Sequence, residues 1–378
     1  MSDWLNCSFP IFRLTLLPIV NGKIPLKRIL IAPLDWGLGH ATRCIPIVRM
    51  LIEMGAEPLI AGGGRSALLL KQEFPDLEFV SFPGYEVHYP ESGSLALHLL
   101  LSIPSILKSI RHEQSLLKKI IRDHRIDAVI SDNRYGLYSD KVPTVFITHQ
   151  INIQTPLGKG LLHKINEQYI NRFSECWIPD WEGTDNLSGK LAHHGASPAR
   201  SYFIGPLSRF RKPEPGTDPL YDFVIALSGP EPQRSVFEKL VSDQLKGIKG
   251  RILLLQGKTE QNEKQTIGHL QICSHLSSSE MQLILPGALL LCRSGYSSIM
   301  DAAVLGSKCI FVPTPGQTEQ EYLAAYHASR NNAFAMQQGK FNLVEAMKEA
   351  EKITGFKNNQ ANPEVLRERL LKLSGLFK

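Results

Sequence analysis

One short stretch in the second half of the chain combines residue types that suit the binding of an anionic nucleotide. Residues 292–301 read Cys-Arg-Ser-Gly-Tyr-Ser-Ser-Ile-Met-Asp, an apolar run follows at 309–312, and residues 313–320 read Pro-Thr-Pro-Gly-Gln-Thr-Glu-Gln. The pattern predicts a strand, a helix that carries Asp301 in its first turn, a second strand and a polar loop. The first N–H groups of a helix lack helical partners and attract phosphate. The stretch therefore predicts half of a nucleotide pocket at the carboxyl ends of parallel strands, with Asp301 on two ribose hydroxyls.

A purely structural role for the same residues stays open. Ser298 and Asp301 also have the spacing of a capping box, in which the serine caps the helix and the acid reaches back to the first N–H group. The binding interpretation is favoured by Arg293, Gly295 and the loop 317–320, because all of them fall at the ends of two successive predicted strands.

Composition limits the classes of function. The chain has 378 residues, 43% of them hydrophobic, which is enough for two soluble domains with separate cores. Its 42 Lys and Arg against 36 Asp and Glu leave a formal charge of +6. This modest excess fits a small anionic ligand or an acidic membrane surface, and no aromatic-interleaved basic motif indicates nucleic acid. The six cysteines have no Cys-x-x-Cys or Cys/His spacing, so we expect no zinc site, no disulfide framework and a reducing cytoplasm.

Residues 1–26 do not read as part of a domain. The apolar run at 9–20 is interrupted by Arg13, is too short to span a bilayer and lacks a small-residue cleavage site. We interpret the segment as a poorly ordered tail or the product of an upstream start codon, and a weak interfacial anchor stays an alternative.

From residue 27 onwards, strand and helix signals alternate, which favours an α/β fold with parallel sheets. The predicted strands are 28–32, 57–61, 77–82, 127–131, 144–148, 176–179, 221–228, 251–256, 282–285, 288–292 and 309–312. A glycine-bearing turn, 35–40, follows the first strand. Helices are predicted after this turn up to Gly55, and at 66–73, 104–124, 235–245 and 363–373.

The alternation divides the chain into two Rossmann-like halves with a cleft between them. The first domain is 27–205, and a linker rich in proline and basic residues follows at 206–219. The second domain is 220–355, and the helix in 356–378 is expected to pack back on the first domain.

This organisation, together with the quoted motifs, resembles the GT-B glycosyltransferases. The second half resembles the donor domain of glycosyltransferase family 28, the family of the peptidoglycan N-acetylglucosaminyltransferase. Its motif corresponds here to Arg293-Ser294-Gly295, Asp301, Pro313 and Gln320. The turn Gly37-Leu-Gly39-His40-Ala-Thr-Arg43 is similar to the Gly-x-Gly-His-x-x-Arg turn of bacterial and archaeal glycosyltransferase-like proteins.

The resemblance implies a donor site for a nucleotide sugar. Two departures from the family stand out: Asp301 replaces the usual glutamate, and prolines 230 and 232 remove two N–H donors from the loop that opens the second domain. We expect Arg234 to supply positive charge to that loop. The predicted donor-binding residues are Ser228, Gly229, Arg234, Arg293, Ser294, Gly295, Ser297, Ser298, Asp301, Gln317, Glu319 and Gln320.

Transfer of a sugar to a hydroxyl also needs a base with a pKa near neutrality, and histidine is the usual choice. His40 is the first candidate, with Asp132 to orient it or to bind the acceptor. As alternatives, His40 could cap the following helix and bind phosphate or water, and Asp132 could equally be a simple turn aspartate. On the acceptor side we place Gly37, Gly39, Arg43, His149 and Gln150, the last two by resemblance to the family's His-Glu-Gln segment.

Two further segments relate to the acceptor. The loop 82–94, rich in Gly, Pro, Tyr and His, is expected to shape the acceptor site. The predicted helix 104–124 has a basic face, which suits an anionic membrane surface but is also typical of a solvated helix.

We therefore predict an inverting, metal-independent transferase that needs no cofactor and uses a UDP-sugar, with an N-acetylhexosamine expected. The resemblance implies a lipid-linked or cell-envelope acceptor and a cytoplasmic protein, peripheral to the inner face of the membrane. A nucleotide-sugar 2-epimerase of the same architecture and a non-catalytic nucleotide-sugar-binding protein are the alternatives. An epimerase needs several acids of the first domain near the sugar, and only Asp35 and Asp132 are predicted at strand ends of that domain.

Overall fold

The computed structural model describes residues 27–84, 95–153, 159–195, 197–214, 216, 218–357 and 362–374. The predicted tail, 1–26, and most of the predicted acceptor loop, 85–94, lie outside these residues. The first domain contains β1 (Arg28–Pro33), α1 (Leu38–Glu53), β2 (Glu57–Gly62), α2 (Gly64–Glu73), β3 (Glu78–Ser81), α3 (Leu95–Asp123), β4 (Ala128–Asp132), β5 (Thr144–Ile147), α4 (Lys159–Ile170), β6 (Glu175–Ile178) and β7 (Ser201–Phe203).

The second domain repeats the alternation of strands and helices. It contains β8 (Phe223–Ala226), α5 (Gln233–Gln244), β9 (Ile252–Leu255), β10 (Lys264–Ile267), β11 (Leu270–Cys273), α6 (Ser278–Ile284), β12 (Leu289–Cys292), α7 (Tyr296–Leu305), β13 (Cys309–Phe311), α8 (Thr318–Ser329), β14 (Ala333–Ala335) and α9 (Leu343–Glu351). The C-terminal helix α10 (Pro363–Ser374) follows this domain.

The strands form two seven-stranded sheets. The first has the order β3-β2-β1-β4-β5-β6-β7 and is parallel throughout. The second has the order β10-β11-β9-β8-β12-β13-β14, and its only antiparallel pair within the described residues is β10 with β11. The two sheets therefore confirm the predicted pair of Rossmann-like halves.

Each sheet is apolar on both faces, because consecutive residues of a strand point to opposite sides. On β1, Ile29 and Ile31 belong to the same core cluster as residues of α1, whereas Leu30 and Ala32 belong to the cluster that contains Leu117 of α3. Helices must therefore cover both faces, and the strand ends remain the open edge at which ligands bind.

Two local predictions are wrong. The apolar run 282–285 lies largely in helix α6, where Ser277 and Glu280 form a capping box that starts a helix. The basic helix begins at Leu95 instead of residue 104, because Pro104 lies within the helix and does not start it. The hairpin β10–β11 and the edge strand β14 were not predicted; their short segments lack the long apolar run on which strand prediction depends.

The C-terminal helix α10 lies against the first domain. Its residues Leu366, Leu370 and Leu373 belong to the same apolar cluster as residues of α1. Arg369 stacks over the Tyr202 ring at 3.6 Å and forms an ion pair with Glu175 at 3.2 Å. No helix in the described part of the chain combines the length and apolar character needed to cross a bilayer.

Candidate functional site

The carboxyl ends of the two sheets face each other across a cavity of about 390 Å³. This volume lies within the range of small-molecule sites, about 300–1,000 Å³. The cavity collects most of the predicted site residues from both domains. Those that line it are Gly37, Gly39, His40, Arg43, His149, Gln150, Ser228, Gly229, Gly295, Ser297, Ser298, Asp301, Gln317, Glu319 and Gln320.

The start of helix α7 forms one wall of the cavity. Gly295 is the N-cap residue and makes no side-chain cap, and the first turn contains no acidic residue. Tyr296, Ser297 and Ser298 of the first turn border the cavity, and their N–H groups have no partner within the helix. Asp301 belongs to the second turn, so both the first-turn placement and the capping-box alternative are wrong for this residue.

Asp301 instead contacts the segment that joins the domains. Its Oδ1 accepts a hydrogen bond of 2.6 Å from the Ser208 hydroxyl, and its Oδ2 lies 3.7 Å from Arg209 Nε. Burial raises the pKa of Asp301, and Arg209 and Ser208 oppose that rise. Arg209 borders the cavity, and its buried Nε has no hydrogen-bond partner among the described residues. Sequence reasoning missed both linker residues, since nothing in a proline-rich basic segment indicates which side chain turns inward.

Arg293 and Ser294 do not line the cavity, but they hydrogen bond to the backbone of the segments that border it. Arg293 is buried, stacks over the Phe237 ring at 4.0 Å, and donates to the carbonyls of Val312 and Pro313 at 3.0 and 3.2 Å. Burial lowers the pKa of Arg293 to about 10. The Ser294 hydroxyl donates to the Gln320 carbonyl at 2.8 Å. Both residues therefore shape the site without reaching a ligand in it.

The loop that opens the second domain reaches the cavity with Ser228, Gly229 and Pro230. Gly229 has a φ of +109°, a conformation that favours glycine, and it lines the cavity beside Ser228. Arg234 does not line the cavity. It is buried between Glu231 and Glu238, each at 2.6 Å, so its charge is already neutralised. The structure therefore places Arg234 away from the predicted phosphate position.

The predicted polar loop 313–320 is a loop only up to Gln317, because residues 318–320 form the first turn of helix α8. The segment is internally hydrogen bonded. Gln320 Oε1 accepts from the Thr314 N–H at 2.9 Å, and Gln320 Nε2 donates to Gln317 Oε1. Glu319 points toward the first domain, where His149 Nε2 lies 2.7 Å from its Oε1 and Gln150 Nε2 lies 3.3 Å from its Oε2. The residues predicted on the donor and acceptor sides are thus in direct contact.

His40, Arg43 and Asp132 form a compact group on the first domain. His40 Nδ1 lies 3.3 Å from Asp132 Oδ1, and Arg43 Nε donates to Asp132 Oδ2 at 2.5 Å. Burial raises the pKa of the fully buried Asp132, but Arg43 and His40 outweigh this effect and lower it to about 2. Burial and Arg43 lower the pKa of His40. The group therefore pairs an ionised aspartate with a histidine that is neutral at pH 7.

Helix α1 and helix α7 meet at Gly39. The Ser297 hydroxyl donates to the Gly39 carbonyl at 2.8 Å, and a Cβ at position 39 would lie 2.9 Å from Ser297 Oγ. A side chain here would force the Ser297 hydroxyl to move and would disturb its hydrogen bond to the Gly39 carbonyl. Gly37 precedes α1 with an extended backbone and borders the same cavity. The predicted glycine turn therefore positions His40 by allowing close approach of the second domain.

Comparisons with known proteins give independent information on both domains. Residues 234–369 match the family model of the glycosyltransferase family 28 C-terminal domain. A protein of Methanosarcina acetivorans named as an uncharacterized glycosyltransferase is 24% identical over 322 residues, which cover 76% of this chain and 80% of that protein.

Solved structures share the fold along almost the whole chain. UGT89C1 of Arabidopsis thaliana, complexed with UDP-L-rhamnose, has a TM-score of 0.54 and 14% identity, and the match covers 93% of this chain and 100% of that chain. The spinosyn rhamnosyltransferase SpnG, complexed with thymidine diphosphate, has a TM-score of 0.55 and 13% identity, over 92% of this chain and 95% of that chain. These similarities confirm the GT-B fold predicted from the sequence.

Proposed function

We propose that this chain, a glycosyltransferase of the GT-B fold with a family 28 C-terminal domain, transfers a sugar from a UDP-sugar to an acceptor hydroxyl with inversion of configuration. One observation carries the proposal: a single cavity joins the start of α7, Asp301 and the polar loop of the second domain to His40 of the first. We expect an N-acetylhexosamine as the donor sugar and a lipid-linked or cell-envelope acceptor.

The second domain would hold the nucleoside diphosphate. The free N–H groups at the start of α7 and the guanidinium of Arg209 can stabilise the charge that develops on the leaving diphosphate without a metal. Within the described residues, no group of three His, Cys, Asp or Glu side chains is arranged to hold a metal ion. Asp301 would accept the ribose hydroxyls. The two complexes named above contain a uridine and a thymidine nucleotide, which supports a nucleoside diphosphate donor and leaves the base to experiment.

His40 would act as the base. Its Nε2 takes the proton of the acceptor hydroxyl, and the hydroxyl oxygen attacks the anomeric carbon on the face opposite the diphosphate. The new C–O bond forms as the bond to the diphosphate oxygen breaks, so the configuration inverts. Asp132, 3.3 Å from Nδ1, stabilises the imidazolium that results.

The protonation of His40 differs between the free and the reacting site. Arg43 Nη2 lies 2.8 Å from His40 Nδ1, and because a guanidinium only donates, Nδ1 accepts here and Nε2 carries the proton. A base at Nε2 needs the other tautomer, in which Nδ1–H donates to Asp132. The Arg43 Nη2 group must then turn from the ring. We therefore expect substrate binding to rearrange this contact.

A thermal-shift screen against UDP- and TDP-linked sugars tests the donor class. A ligand that binds only the folded protein raises the melting temperature, and the rise grows with the logarithm of the ligand concentration relative to Kd. We expect UDP-N-acetylglucosamine or its epimer to stabilise the protein, and incubation with that donor to release UDP in the presence of an acceptor extract. If no nucleotide sugar stabilises the protein, the proposed donor class is wrong.

We predict that Asp301→Ala weakens UDP binding by about 1–3 kcal/mol, through the loss of hydrogen bonds to a charged acceptor. Isothermal titration calorimetry measures the affinity. Asp222→Ala is the matched control, because Asp222 is exposed and pairs with Arg251 outside the cavity. An unchanged affinity in Asp301→Ala would show that the carboxylate only anchors Ser208 and Arg209.

We also propose that helix α3 docks the protein on anionic lipid at the inner face of the membrane. Its exposed face carries the cations Lys108, Arg111, Lys118, Lys119 and Arg122. Such cations contribute about 1 kcal/mol each near a phosphatidylserine surface.

We predict that changing Lys108, Arg111 and Lys118 together to Glu abolishes flotation with vesicles that contain phosphatidylserine. The triple change of Lys239, Lys246 and Lys249 to Glu alters the net charge equally on an exposed surface of the second domain, and should leave flotation intact. Equal recovery of wild type with and without phosphatidylserine would refute docking.

A further inference from the structure

His149 belongs to the first domain, but its side chain lies among residues of the second. It follows strand β5 and is 7% exposed. Its ring is stacked on the Tyr296 ring with a centroid distance of 4.0 Å and an interplanar angle of 2°. Its Nε2 lies 2.7 Å from Glu319 Oε1. One imidazole therefore contacts the first residue of α7 and a residue in the first turn of α8, the two helices whose starts border the donor site.

The hydrogen bond from Arg43 determines which ring nitrogen of His149 carries the proton. Arg43 Nη1 lies 3.2 Å from His149 Nδ1, and a guanidinium can only donate. Nδ1 therefore accepts, the proton is on Nε2, and Nε2–H donates to Glu319. Arg43 is in turn held by the fully buried carboxylate of Asp132. A continuous polar chain thus runs from Asp132 through Arg43 and His149 to Glu319.

This chain leaves Glu319 ionised and oriented. Burial raises the pKa of its carboxyl, but His149 and Arg43 outweigh burial and lower it. Oε1 accepts from His149 and Oε2 accepts from Gln150 at 3.3 Å. Each carboxylate oxygen can accept a second hydrogen bond, so Glu319 keeps acceptor capacity toward the cavity that it lines.

We propose that His149 is a positioning residue for the donor sugar: backed by Arg43, it orients Glu319 so that the carboxylate accepts hydrogen bonds from the sugar hydroxyls. The inference rests on the proposed function, because it assumes that a nucleotide sugar occupies the cavity. It reassigns His149 and Gln150 from the acceptor side to donor recognition. Glu319 of the second domain would recognise the sugar, and it would be oriented only while His149 of the first domain is in contact with it.

The test compares the affinity for UDP with that for UDP-N-acetylglucosamine, measured by calorimetry, in variants of the full chain. His149→Ala should weaken UDP-N-acetylglucosamine binding by about 10-fold, the effect of losing one charged hydrogen bond, and change UDP binding by less than about twofold. His149→Gln should recover most of the loss, because its amide can accept from Arg43 and donate to Glu319.

Tyr322→Phe is the matched control. Its hydroxyl accepts a cross-domain hydrogen bond of 2.6 Å from the Lys190 N–H, and Tyr322 does not line the cavity. The ratio of the two affinities should stay that of wild type. The double variant Glu319→Gln/His149→Ala should bind UDP-N-acetylglucosamine no more weakly than the single variant with the lower affinity, because both changes remove the same contact.

Three results would overturn the inference. Equal loss of both affinities in His149→Ala would indicate a structural role, and unchanged affinities would show that Glu319 needs no support. Additive losses in the double variant would show that the two residues act separately.

If the wild-type protein binds UDP but not UDP-N-acetylglucosamine, another sugar is the donor. The same variants are then compared with the UDP-linked sugar that gives the largest thermal shift. If wild type binds neither UDP- nor TDP-linked sugars, the proposed function itself is wrong.

Discussion

Replacing His40 by alanine is expected to lower turnover by about 10²–10⁴-fold, the usual contribution of a general base. The imidazole borders the cavity on the first domain, and Asp132 lies 3.3 Å from Nδ1 to stabilise the positive charge that proton transfer creates. The loss should appear in kcat with little change in the affinity for UDP, because the proposed nucleotide site is on the other domain.

The pH profile gives an independent readout. A base works when it is unprotonated, and burial lowers the pKa of His40 below its ordinary 6.5. The acid limb of kcat/KM should therefore lie below pH 6.5 in wild type. His269→Ala, at an exposed position of the second domain, should leave both rate and profile unchanged. If the turnover of His40→Ala is within a few fold of wild type, His40 is not the base and another group must take the proton.

Asp132→Asn is expected to lower the free energy of unfolding by about 3–5 kcal/mol, because it leaves the buried guanidinium of Arg43 without its counterion. Arg43 is 2% exposed and Asp132 is fully buried. Urea unfolding followed by circular dichroism measures the loss. Asp185→Asn, which removes a partner of Arg330 from an exposed ion pair, should cost at most about 1 kcal/mol. A similarly small loss for Asp132→Asn would show that the pair contributes little to stability.

The same ion pair predicts a pH window for stability. The pKa of Asp132 is lowered to about 2 from 3.8, so the folded state favours the ionised form. Its contribution is complete above the unfolded pKa and is lost as pH falls through the folded pKa. Wild type should thus lose roughly 2 kcal/mol between about pH 4 and pH 2 from this residue, and Asp132→Asn should lack that component.

Much of the site could be predicted because strand ends and glycine turns are local signals. Asp301, Gly295 and the polar loop were placed correctly at the cavity, as was His40 after the glycine turn. The roles of Arg293 and Arg234 differ from the prediction. Arg293 donates to backbone carbonyls and Arg234 pairs with glutamates, so neither guanidinium faces the cavity. The sequence could not predict this, because the partner of a buried guanidinium depends on which segments pack against it.

The sequence by itself determined the alternation of strands and helices, the division into two Rossmann-like domains and the edge of each sheet at which the site lies. These follow from short-range hydrophobic patterns and from the rule that parallel strands present their carboxyl ends together. The tertiary structure alone decided that Arg209 borders the cavity and that His149 reaches Glu319. Those contacts join residues that are far apart in sequence, and they arise from how two independently patterned domains dock, for which a single sequence carries no local signal.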